Sequence, residues 1–166
     1  MIPEIEFLQT GGTIDKRYPI TQGAYAFEIG QPAVAEIIEQ MKLPYQISIK
    51  SISKKDSQDL TEEDRKTLMA HIRESKCTRF IITHGTDTMI HTGLFLKDIP
   101  NKVIIISGSF IPACCKCSDA SAQVGAAVAA CQLVESGVYI CMNGQIIPIK
   151  EAIRNKETGT FEYAKS

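Results

Sequence analysis

Two apolar runs constrain this chain more than anything else in it: Phe80-Ile81-Ile82 and Val103-Ile104-Ile105-Ile106. A strand that is apolar on both faces has to be covered on both faces. The fold that does this most often is a parallel sheet with helices packed above and below it. The surrounding segments fit that demand. Residues 4–9 read as a first strand, and 32–41 as a short helix opened by Pro32. Residues 46–52 alternate apolar and polar at period two, the pattern of a less buried strand. Residues 61–73 begin Thr-Glu-Glu-Asp, a start resembling a capping box, and then set Leu68, Met69 and Ile72 on one face of a helix. The two apolar runs become central strands at 79–83 and 102–107, with a helix at 88–97 between them. A long Ala-rich helix, apolar on most sides, is predicted at 118–136. A fifth strand spans 138–142, and 145–149 pairs with it across Asn143-Gly144.

Strand and helix thus alternate from end to end, which predicts an α/β fold: a doubly wound, three-layer, mostly parallel sheet of flavodoxin-like order. At 166 residues the chain is one domain. Residues 150–166 form a polar tail expected to be mobile or to dock on a neighbour. The 18 basic and 19 acidic side chains nearly cancel, so no broad field invites nucleic acid or a membrane surface. The start, Met-Ile-Pro-Glu-Ile-Glu, lacks the basic and apolar stretches of a secretory signal, and six cysteines without such a signal predict reduced thiols in a cytoplasmic protein. Cys114-Cys115-Lys116-Cys117 raises the question of a metal, but no second cysteine pair or nearby histidine completes a zinc pattern. Loop thiols are the better reading, and neither metal nor cofactor is expected.

Ligands of an open parallel sheet bind beyond the carboxyl ends of its strands. Four such ends carry polar loops here: Thr10-Gly11-Gly12-Thr13, Ser57-Gln58-Asp59, His84-Gly85-Thr86-Asp87-Thr88 and Ser107-Gly108-Ser109. Singly, each has an ordinary explanation. Paired glycines make turns, and Thr86 or Asp87 could simply cap the next helix. Together they describe a polar rim for a small molecule. No Gly-x-Ser-x-Gly elbow, P-loop or dinucleotide fingerprint is present. The chemistry left is attack by a threonine hydroxyl on a carbonyl, with backbone N–H groups at Gly11-Gly12 and Gly85-Thr86 to hold the oxyanion.

Thr-Gly-Gly-Thr-Ile at 10–14 and Thr-His-Gly-Thr-Asp-Thr-Met at 83–89 resemble the two signatures of the bacterial-type asparaginase family. The likeness continues through Asp56-Ser57-Gln58-Asp59, Ser118-Asp119-Ala120, Gly137-Val138-Tyr139 and Met142-Asn143, and so covers nearly the whole chain. The resemblance implies an amidohydrolase that takes L-asparagine, with L-glutamine as the neighbouring candidate, and releases ammonia. In that reading Thr13 is the nucleophile, and Thr86 is a second catalytic threonine coupled to Asp87 and a lysine base. Ser57 and Gln58 grip the substrate beside Gly12 and Gly85, and Asp87 holds its ammonium. A loop after Thr13 brings in a tyrosine. Tyr18 and Tyr25 both lie there, and Tyr25 is the closer match in spacing.

Two positions depart from the family pattern. An ungapped count from Met142-Asn143 reaches Arg154 where the family has its lysine, while Lys150 and Lys156 stand on either side. Arginine holds its proton too tightly to be a good base, so Lys156, Lys150 and Arg154 all stay open for that role. The family also usually carries a smaller C-terminal domain, and this chain resembles a short, single-domain form. A homodimer or higher homo-oligomer is expected, with the tail on a neighbour. Two further readings are an asparagine- or aspartate-binding sensor and the ammonia-releasing subunit of a tRNA-dependent amidotransferase.

Overall fold

A computed structural model describes residues 4–19 and 26–164. In chain order the elements are β1 (Ile5–Gly11), β2 (Lys16–Arg17), β3 (Glu28–Ile29), α1 (Val34–Met41), β4 (Ile47–Lys55), α2 (Glu62–Glu74), β5 (Arg79–Thr83) and α3 (Met89–Leu96). They continue with β6 (Val103–Ser107), α4 (Ala120–Leu133), β7 (Gly137–Met142), β8 (Gln145–Pro148), β9 (Ala152–Arg154) and β10 (Phe161–Tyr163).

Six strands form one sheet in the order β4-β1-β5-β6-β7-β8. The first five run parallel, and β8 returns antiparallel on β7 through Asn143-Gly144, both with positive φ (55° and 71°). The expected doubly wound order is therefore present, with an antiparallel strand added at one edge. The buried runs behave as their composition demands. β6 is buried at every position, and β5 at all but Arg79. The strand at the other edge, β4, stays half exposed along its length, as its alternation predicts.

The two faces of the sheet carry separate cores. One gathers Leu8, Phe80, Ile82, Ile104, Ile106 and Ile140 beneath α2 and α3, which contribute Leu68, Ile72, Met89 and Leu96. The other gathers Phe7, Ile81 and Ile105 beneath α1 and α4, through Val34, Ile37, Val124, Ala127 and Val128. The small side chains of α4 let that helix lie close to the sheet. The start of α2 is a full capping box: Asp64 N–H donates to the Thr61 hydroxyl (3.2 Å), while Thr61 N–H donates to the Asp64 carboxylate (2.8 Å).

The tail departs from expectation. Residues 152–163 form a β9–β10 hairpin folded back on its own domain, with Phe161 fully buried in the first core. Asn143 and Gln145, at the β7–β8 turn, hydrogen-bond the Phe161 main chain (3.0 Å each). Phe161, with Ala152, makes this largely polar segment a part of the core, where composition alone reads as a loose arm.

Candidate active site

The rim at the carboxyl ends of the parallel strands is built by close approach of backbones. Gly12, φ 87°, abuts Gly85: a Cβ on Gly12 would run into the Gly85 amide. Gly85 in turn lies on Ser57, whose Cβ would be 2.7 Å from a side chain added there. Only glycine admits the three loops to one point. The consequence is a cleft of about 430 Å³ lined by Thr13, Lys16, Asp56, Gln58, Asp59, Thr86 and Asp87.

Thr13, Gln58, Thr86 and Asp87 are thus brought together. The capping alternative for Thr86 and Asp87 is not taken, because α3 is entered at Thr88. Ser57 is buried under Gly85, its hydroxyl without a protein partner, and does not line the cleft. Ser107 and Ser109 are buried as well and bond main-chain carbonyls, Cys141 at 2.8 Å and Ile111 at 2.6 Å, so the fourth loop closes the rim from beneath.

Of the three candidate bases, only Arg154 makes a contact at the cleft. Its Nη1 donates to the Asp87 carboxylate at 2.6 Å, and Gln58 Nε2 donates to the other Asp87 oxygen at 2.6 Å. The Arg154 guanidinium, followed by the Gln58 amide, holds the Asp87 carboxyl below the usual carboxylate range. Arg154 is itself fixed by a bond from Nε to the Gly159 carbonyl (3.2 Å) and by the Phe161 ring, 5.7 Å from the guanidinium carbon. Lys150 lines a different depression, with Gly137 and Val138 at the start of β7, the opposite end of the sheet. Lys156 is exposed in the hairpin turn and is not among the cleft's lining residues. Tyr18 is exposed and packs edge-on against Phe27 (6.1 Å), and Tyr25 lies outside the described residues.

Three groups escaped sequence reasoning. Lys16 enters the cleft and pairs with Asp56 at 2.6 Å. Its position three residues after Thr13, in a motif flanked by charge, was the signal available.

Beneath Thr86 lies a buried chain of donors. Arg65 Nε donates to the Thr92 hydroxyl (3.0 Å), which donates to His84 Nε2 (2.7 Å), and His84 Nδ1–H donates to the Gly85 carbonyl (2.7 Å). The carbonyl can only accept, so the tautomer follows. Complete burial pushes His84 down to about 4, which keeps it neutral. Arg65 also reaches Leu60 O (3.0 Å) and the Thr88 hydroxyl (3.3 Å), and Thr88 bonds Ser57 O (2.7 Å).

Asp15 is the third. Its carboxylate accepts from Ala33 N–H (2.8 Å), its carbonyl from Gly30 N–H (2.8 Å), and its second carboxylate oxygen has no partner. Burial raises it to about 6. It pins both ends of the excursion between Lys16 and Pro32, where β2 pairs with β3.

This geometry meets independent likeness. The model of the asparaginase N-terminal domain matches residues 4–163. The chain belongs to the asparaginase family. It is 32% identical over 173 residues to a protein of Haemophilus influenzae named "Probable L-asparaginase periplasmic", covering 98% of this chain and 49% of that one. It is 27% identical over 172 residues to L-asparaginase 2 of Escherichia coli, again across 98% of this chain and 49% of the relative. The chain therefore spans about half the length of these curated relatives. Among solved structures, a probable cytoplasmic L-asparaginase from Campylobacter jejuni superposes with TM-score 0.78 at 24% identity, over 96% of this chain and 52% of that one. L-asparaginase I from Vibrio cholerae gives TM-score 0.78 at 21% identity, over 98% and 52%. Those two likenesses carry the fold. No described helix is long and apolar enough to cross a membrane.

Proposed function

We propose that this domain is an amidohydrolase acting on the side-chain amide of L-asparagine, giving L-aspartate and ammonia, with L-glutamine the next substrate to test. The observation that carries the reading is the Gly12–Gly85 contact, which sets Thr13 and Thr86 on one polar cleft with Asp87. In this mechanism the Thr13 hydroxyl attacks the amide carbon while backbone N–H groups around Gly12 and Gly85 take the oxyanion. Ammonia leaves, and water resolves the acyl-threonine. Thr86 relays the nucleophile's proton to the departing amide nitrogen, so that ammonia leaves neutral, while the Asp87–Arg154 ion pair holds its charge beside the cleft and Gln58 orients the substrate's polar end. A homo-oligomer belongs to the same proposal. Exposed Ile153 and Tyr163 on the outer hairpin supply apolar surface for it, and light scattering would check it. A reducing, cytoplasmic setting suits the unpaired cysteines.

One observation favours a second reading. Asp87 is already satisfied by Arg154 and Gln58, and arginine is a poor base. A domain that binds asparagine or aspartate without turnover would look like this. Ammonia release from asparagine by the purified chain separates the two. Turnover that Thr13→Ala reduces by roughly a thousandfold or more supports the enzyme. Calorimetric binding of aspartate with no ammonia at any substrate level replaces it with the binding domain.

A further inference from the structure

The turn after β6 carries three thiols within four residues, Cys114, Cys115 and Cys117, and none of the chemistry above uses them. Cys114 and Cys117 are exposed and Cys115 is partly buried, whereas Cys77, Cys131 and Cys141 are buried. Two chained turns shape the segment: Cys115 N–H donates to Pro112 O (2.9 Å), and Ser118 N–H donates to Cys115 O (3.1 Å). The segment rests on the loop that carries Thr13. Ala113 N–H donates to Ile14 O (3.2 Å), and the Cys114 thiol donates to Lys16 O (3.3 Å). Cys114 thus holds the main chain of the residue whose ammonium grips Asp56 in the cleft.

We propose that Cys114 and Cys117 form a reversible dithiol–disulfide pair, oxidised by a low-molecular-weight disulfide such as oxidised glutathione, and that closing the bond frees the Lys16 segment from the turn. The Cys117 thiolate attacks one sulfur of the external disulfide and expels the first small thiolate. The Cys114 thiolate then attacks the Cys117 sulfur of the mixed disulfide and expels the second. The two cysteines lose two electrons and two protons, and the external disulfide takes up both to become two thiols. Cys114 and Cys115 are poorly placed to pair with each other, since a bridge between adjacent residues distorts the intervening peptide. Partial burial and its two thiol neighbours push the Cys115 thiol up, which lowers its share of reactive thiolate. Burial raises Cys131 and Cys141 to about 11, so they stay out of the exchange. Once its sulfur is in a disulfide, Cys114 has no S–H to give the Lys16 carbonyl. This inference stands apart from the amide chemistry, and its test needs no turnover.

The full chain is equilibrated against graded ratios of oxidised to reduced glutathione. It is read by intact mass, by tryptic mapping and by hydrogen exchange of a peptide spanning residues 13–17. The expected product has lost two hydrogens and gained no glutathione, and trypsin cutting at Lys116 leaves its fragments joined. Exchange at 13–17 rises several-fold on oxidation and returns on reduction. Both changes vanish in Cys114→Ser and Cys117→Ser and persist in Cys115→Ser. A stable glutathione adduct as the end product, two-hydrogen loss surviving in Cys117→Ser, or identical exchange at 13–17 in both redox forms overturns the proposal.

Discussion

The two walls of the cleft are built differently. The wall that presents Thr86 is backed by a connected polar network: Arg65, Thr92 and neutral His84 bond in series to the Gly85 carbonyl, and the Ser57 hydroxyl beside them is left without a protein partner. The wall that presents Thr13 rests on groups that can change state. Asp15 is buried with one oxygen unpartnered, Cys114 contributes a thiol, and Lys16 spans to Asp56 in partial solvent. Fully satisfied buried networks rigidify a site, and partly satisfied ones leave freedom in it. One wall is thus a fixed template, and the other is the part that conditions can move.

The largest effect should come from joining the walls wrongly. Gly12→Ala adds a side chain at φ 87° against the Gly85 amide, which combines backbone strain with overpacking. A loss on the order of 4 kcal/mol is expected. Urea unfolding checks it, and a loss under 1 kcal/mol would show that the loops part readily.

Acid tests the contrast itself. His84 is about 4 in the fold against an ordinary 6.5. The unfolded chain therefore takes up the proton first, and stability present above pH 6.5 is lost as pH falls toward 4, by on the order of 3 kcal/mol. Asp15 runs the other way. It is raised from 3.8 to about 6, so its contribution is full below pH 3.8 and is lost as pH rises through 6, by a similar amount. The wild-type stability should be nearly flat between pH 4 and 6.5 as far as these two groups decide it. Asp15→Asn removes one arm, and its melting temperature should then fall on acidification across that window. A variant as flat as the wild type would mean that the two walls are not in opposition.

Arg154→Lys keeps a cation beside Asp87 but supplies an amine that can release its proton. If the proposed hydrolase is right, turnover should rise about tenfold or more, read as ammonia from asparagine. Lower turnover would place the guanidinium itself in substrate binding.

The smallest effect belongs to the Lys16–Asp56 pair, whose side chains are 29% and 38% exposed. Lys16→Met should cost less than about 1 kcal/mol of stability. Any larger consequence should appear in affinity for asparagine or aspartate, by calorimetry.

Much of the fold was legible because burial writes itself into composition. Phe80-Ile81-Ile82 and Val103 to Ile106 could only be central strands, and the Thr61 start of α2 names its own cap. That Thr13, Thr86, Gln58 and Asp87 would share one cleft was legible because each follows a parallel strand. Ser57, expected to grip the substrate, is buried and absent from the cleft lining, since its burial depends on Gly85 lying over it. The tail folds onto its own domain because Phe161 and Ala152 enter the core and Asn143 and Gln145 bond the Phe161 main chain, contacts that the polar composition around them hides.

The sequence by itself determined the parallel sheet, the turn chemistry of its glycines and the polar character of the rim, since these follow from periodicity and from local backbone demands. Only the tertiary structure decided which charges meet. Arg154 reaches Asp87 across 67 residues of chain, Lys16 finds Asp56, and His84 and Asp15 acquire opposite pH responses. Those outcomes depend on desolvation and on distances of a few ångströms, which no spacing along the chain encodes.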